Sequence, residues 1–136
     1  MKGLRWFIAG IVWGVFSYVV HGVVNGGIFK NWYKGYEYLY RTFDSVMMIK
    51  LFILSIIMGL VISLLYSVLY KGIPGKSIVG KGFLFGILFF LPRLVGLFFQ
   101  YTLNLGPFPL PCLISEIIAI PLGGILIALI YGKEIK

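Results

Sequence analysis

Charge is what this sequence has least of. Charged residues fill 12% of its 136 positions, against an ordinary ~25%, and only four residues are acidic. There is one histidine, His21, and one cysteine, Cys112. A lone cysteine cannot close an internal disulfide, which excludes a secreted disulfide scaffold. With so few acids, imidazoles and thiols, most metalloenzymes are excluded for want of ligands. No Cys-x-x-Cys pair, zinc spacing or serine–histidine–acid arrangement occurs, so catalysis would need groups this chain does not have, and no enzyme is expected. What fills the chain instead is apolar: 60% of it, where ~45–50% is ordinary. That excludes a disordered tail. It also excludes a soluble globular domain, because a fold this small cannot hide so much apolar surface from water.

Four apolar stretches, about 4–24, 47–70, 82–103 and 110–131, each reach the roughly 20 residues a bilayer-crossing helix needs. Backbone groups in lipid must be bonded within the segment, so helices are expected. A barrel would need ten-residue strands of period two, and that period is missing. The first stretch has a basic start, Lys2 and Arg5, as a signal peptide does. Its apolar run is too long for one and no cleavage site follows, so a retained span is expected. The expected fold is therefore an all-α integral membrane protein. It would be one transmembrane domain over 1–136, with four helices in an antiparallel up-down bundle.

Lysine and arginine positions give an orientation. Lys2, Arg5, Lys71, Lys76, Lys81, Lys133 and Lys136 fall on one side; Lys30, Lys34, Arg41 and Lys50 fall on the other. The larger set places both termini and the 71–81 loop in the cytoplasm, with the chain in the cell's inner (plasma) membrane. The net charge of +8 is then an orientation and anionic-lipid signal rather than a nucleic-acid footprint.

Between the first two spans, Phe29, Trp32, Tyr33, Tyr36, Leu39, Tyr40 and Phe43 recur at three–four spacing, with Lys30, Asn31, Lys34, Glu37, Arg41 and Asp44 opposite. This periodicity predicts an interfacial amphipathic helix over about 28–46. Trp32, Tyr33, Tyr36 and Tyr40 would be its anchors at headgroup depth. Such a helix either docks a partner or simply keeps a connector's apolar face out of water.

Helices in lipid meet through small residues and inward-facing polar ones. Each span carries a stripe of that kind. The first has Gly10, Gly14, Ser17, His21 and Asn25, and the second has Ser55, Gly59, Ser63 and Ser67. The third has Gly82, Gly86, Arg93 and Gln100, with Gly96 nearby, and the fourth has Cys112, Glu116, Ala119 and Gly123. Gly10, Gly14, Gly59, Gly86 and Gly123 are the expected close-approach positions.

Arg93 and Glu116 are the deepest charges. If spans three and four form a hairpin turning near 106, position 93 lies level with about 119. At ~1.5 Å per residue, Glu116 is then within roughly 5 Å of Arg93 in depth. An unpaired charge there costs ~2.5–3.5 kcal/mol or more, so an ion pair is expected, with Glu116 ionised. Pro92 and Pro121 fall at similar depth and each removes a backbone donor. Kinks at one level would open a small polar cleft, lined by His21, Gln100 and Lys50. His21 could ligate haem only with a second histidine from another chain, so the expected role is hydrogen bonding, with no cofactor.

Gly75-Lys76-Ser77 lacks the glycine that a phosphate-binding loop needs five residues earlier, where Tyr70 stands. Pro74-Gly75 marks a turn instead. The His21-Gly22 pair ending span one, and the Gly72…Gly75-Lys76 turn before a glycine-started span three, resemble features of a loose set of small four-span bacterial inner-membrane proteins. That resemblance implies the span plan and no particular activity. Small multidrug transporters have similar size and span number, but they carry their working glutamate in the first helix, where this chain has no acid.

The expected function is that of a non-catalytic structural or accessory subunit, packing in the bilayer with other membrane proteins or with copies of itself. The alternative is a small transporter, channel or quinone- or lipid-binding unit built on the intramembrane Arg93–Glu116 cleft.

Overall fold

The computed structural model describes residues 2–35, 44–104 and 108–132. Among these, every regular element is helical: α1 (Lys2–His21), α2 (Ser45–Leu69), α3 (Ile78–Asn104) and α4 (Leu110–Tyr131). A π-helical segment, Gly22–Ile28, prolongs α1. Four stretches, Leu4–Ile28, Ser45–Leu69, Ile78–Leu103 and Leu110–Tyr131, are long and apolar enough to cross a membrane. By that measure the chain is a multi-pass membrane protein.

Local chemistry decides the helix starts. Asp44 caps α2, its carboxylate accepting from Met47 N at 2.7 Å, as short polar side chains do for the orphan donors of a first turn. Ser77 does the same before α3, its Oγ accepting from Gly80 N at 3.0 Å. That cap is why α3 begins at Ile78 rather than near 82. In the turn before it, Gly75 takes a φ of +130°, a left-handed conformation that glycine adopts without steric cost.

α1 and α4 pack against each other at the centre, α2 packs on α1, and α3 packs on α4. The seams are made by backbone approach. A methyl at Gly10 would lie 2.7 Å from Leu60 Cα, and one at Gly14 would lie 2.8 Å from Ile56 Cα. At Gly59 it would strike the Gly10 carbonyl. On the other seam, a methyl at Gly86 would lie 2.7 Å from Pro121 Cα, and one at Gly82 2.6 Å from the Gly124 carbonyl. Gly123 leaves room for the Trp13 ring, which is how α1 meets α4. Without glycine these backbones would separate, and with them the dispersion contacts that hold helices together in lipid.

One end of the row is closed by rings. Tyr66 of α2 meets Phe85 of α3 at a centroid distance of 5.0 Å and Tyr131 of α4 at 5.9 Å, both edge to face. Tyr66 and Phe85 are fully buried, with Ile127 and Ala128 beside them. The neighbouring loop is tied down by Lys81, whose Nζ donates to Tyr70 O at 3.2 Å.

The segment after α1 differs from expectation. Instead of an interfacial helix through 28–46, the π-helix ends at Ile28 and residues 29–35 form turns. Gly35 has a φ of +90°, which a continuing right-handed helix does not allow. Adjacent glycines, Gly26 and Gly27, precede the break and lower the helical preference there. Tyr36 and Tyr40 lie outside the described residues. Trp32 and Tyr33 are found in the turns, facing the start of α4 rather than standing on a separate helix.

Candidate functional site

The charged and polar residues of three spans converge near the α3–α4 turn. Glu116, in the second turn of α4, has a side chain only 6% exposed. Arg93 of α3 donates from Nε to Glu116 Oε1 at 2.7 Å. His21, the last residue of α1, brings Nε2 to 3.5 Å from the same oxygen. So one carboxylate oxygen faces a guanidinium on one side and an imidazole on the other.

The histidine is held from behind. Its Nδ1 lies 2.8 Å from Ser17 O and 3.5 Å from Ser17 Oγ. A carbonyl only accepts, so Nδ1 is the nitrogen that carries hydrogen. A neutral imidazole then presents a bare Nε2 lone pair to the carboxylate.

Around this trio lies a second set of contacts. Asn25, one turn on, donates from Nδ2 to His21 O at 3.0 Å and to Ser115 Oγ at 3.4 Å. Its Oδ1 accepts from Cys112 Sγ at 3.6 Å, and Tyr33 Oη lies 3.7 Å from that sulfur. Ser115 Oγ donates to Cys112 O at 2.9 Å. Above them Trp32 Nε1 donates to Phe108 O at 3.0 Å. These bonds sew the chain after α1 to the start of α4, where an unpaired polar group in lipid would cost several kcal/mol.

Other expected members lie elsewhere. Lys50 is exposed on α2, away from the three helices that form the cluster. Gln100 lies in α3, but its side chain is outside the described part. A polar cleft at the proline level is not what the structure places there. Pro121 packs on Gly86, and the hollow beside it is an apolar groove of about 550 Å³ between α3 and α4, lined by Phe83, Ile87, Phe90, Leu91, Ile117, Ile118, Pro121 and Leu122. The reason is rotational: Pro92 and Arg93 both stand on the exposed side of α3, so α3 offers this hollow only apolar side chains.

Asn25, Cys112 and Ser115 belong to the cluster although no spacing singled them out as a unit. Their membership depends on the rotation of α1 against α4, which periodicity within one helix does not carry. Among the described residues, no three histidine, cysteine, aspartate or glutamate side chains gather as a metal site. No protein-family model matches this chain, and no curated protein or solved structure does.

Proposed function

We propose that this chain is a non-catalytic accessory subunit of the membrane, built to pack with other membrane proteins or with copies of itself. The observation that carries this reading is where the helices spend their small and polar residues. Gly10, Gly59, Gly86 and Gly124 join backbones within the chain. The polar side chains near α4's start are bonded to one another. The outer helices α2 and α3 turn most of their surface outward. A row of four helices with two wide flanks fits an element inserted between larger bodies.

In this reading the spans alternate in direction, as the pairing of Gly10 with Leu60 and of Gly14 with Ile56 supports. Both termini face the cytoplasm of an inner-membrane protein, and the aromatic 28–46 segment lies at the opposite surface. Labelling of single cysteines from outside intact cells tests the orientation: position 34 is expected to react and position 76 to stay silent, and the reverse pattern overturns it. Purification in mild detergent with mass measurement tests the subunit reading. A stoichiometric partner or oligomer is expected, and a monomer that carries no other protein counts against it.

One observation favours the second reading, a small transporter, channel or ligand-binding unit. His21 Nε2 and Glu116 Oε1 face each other with room for one proton between them, beside a fixed guanidinium. Proton-coupled flux in vesicles that is abolished by Glu116→Gln, with folding intact, would replace the accessory reading by this one.

A further inference from the structure

Arg93 uses one of its nitrogens on Glu116 and leaves its side chain 63% exposed. It stands in the middle third of a helix, Ile78–Asn104, that is apolar enough to cross the bilayer. An exposed guanidinium at that depth draws water, phosphate or a thinned bilayer toward itself, because hydrocarbon cannot solvate it. Glu116 answers the charge from inside. Nothing described answers it from outside.

Directly beside Arg93 begins the apolar groove. Phe90 and Leu91 lead into it from α3 and Ile117 leads into it from the residue after Glu116. It continues to Phe83, ten residues from Arg93, or about 15 Å along the helix. Its volume, about 550 Å³, lies within the roughly 300–1,000 Å³ typical of ligand sites. The site therefore has a polarity. Its cationic end points to the surface bearing the α3–α4 turn, and its apolar end runs toward the bilayer centre and beyond. A phospholipid of that leaflet has the same polarity, headgroup outward and chain inward.

We propose that Arg93 and the α3–α4 groove form a binding site for a phospholipid with an anionic headgroup. Its phosphate meets the outward nitrogens of Arg93, and one acyl chain lies between Leu91 and Ile118. The guanidinium can bond two phosphate oxygens side by side. Glu116 lies six residues into α4, about 9 Å below its start, so the headgroup is drawn inward, with Arg93 extending outward to meet it. The site rests on the same pair as the second functional reading, but requires neither flux nor a protein partner.

The test uses the purified full chain, delipidated in detergent and titrated with phosphatidylglycerol and with phosphatidylcholine of identical chains. Occupancy is counted by native mass spectrometry. Phosphatidylglycerol is expected to bind about fivefold more tightly, the share one arginine contributes near anionic lipid. Arg93→Gln combined with Glu116→Gln leaves no stranded charge and should bring the two lipids to parity. Ile118→Trp fills the groove with the ion pair intact and should lower occupancy by both. Parity in the natural protein overturns the proposal. So does a preference that survives in the double variant, or undiminished occupancy in Ile118→Trp, which decides the matter alone if the double variant does not fold. A protein partner found covering Arg93 in place of lipid also overturns it. Lipid preference without any flux would refute the transport reading and leave this site standing.

Discussion

At one end of the molecule Tyr66, Phe85 and Tyr131 meet edge to face; near the other, His21, Arg93 and Glu116 meet around one carboxylate oxygen. Both clusters join three helices, and both are largely buried. Their physical basis differs because the solvent here is lipid. Rings gain little by leaving a medium as apolar as themselves, so the aromatic end is held by shape and dispersion. The polar groups have no substitute partner in hydrocarbon, so the other end is held by obligation. The aromatic end should bend under substitution, and the polar end should break.

The largest expected effect follows from the ion pair. Glu116→Gln and Arg93→Leu should each cost about 3–5 kcal/mol, since either strands the other charge. The double variant should recover most of that loss. Denaturation in detergent followed by tryptophan fluorescence would measure all three, and a double variant as weak as the sum of the singles would break the contrast. Next come the seams shared by both ends. Gly59→Ala and Gly86→Ala would place a methyl against a neighbouring backbone, and each is expected to cost about 1–3 kcal/mol, typical of overpacking. At the aromatic end, Phe85→Leu should cost less than about 1.5 kcal/mol; a loss matching that of Glu116→Gln would erase the distinction.

The smallest changes sharpen it. Asn25→Ala removes hydrogen bonds between membrane helices, which average about 0.6 kcal/mol each. Tyr66 points the other way. Its hydroxyl is buried and has no partner among the described residues, so Tyr66→Phe should be neutral or stabilise by about 1 kcal/mol. Paired melts of these two variants would show whether polar groups near the two ends carry opposite signs.

The sequence made the spans legible because their signal is composition, which survives any error in rotation. It also made Arg93 and Glu116 legible as a pair, because a hairpin of known rise relates depth along two helices by simple counting. What counting could not supply was which way each helix faces. Hence the polar cleft expected beside Pro92 and Pro121 is an apolar groove, and Lys50, close in depth, stands outside the cluster. The interfacial helix was misread for a different reason. Aromatic spacing after Ile28 fits a helical period, but period ignores backbone, and Gly26, Gly27 and Gly35 permit conformations that interrupt it. Ser77 as a cap was hidden in a loop already explained by Pro74 and Gly75.

The wide turn at Gly22–Ile28 has a consequence for how this chain tolerates insertion and deletion. Phe29 N donates to Val24 O at 2.9 Å, a bond that skips one residue more than an α-helix would, so the segment holds an extra residue without lengthening its screw in proportion. Because each α-helical residue advances the thread by about 100°, removing one residue here would let the winding tighten and swing everything downstream through roughly that angle. Trp32 would then leave Phe108, and Tyr33 would leave Cys112. The slack in this one coil is thus a setting screw: it fixes the angle at which the chain emerges from the bilayer and comes down on the start of the last helix.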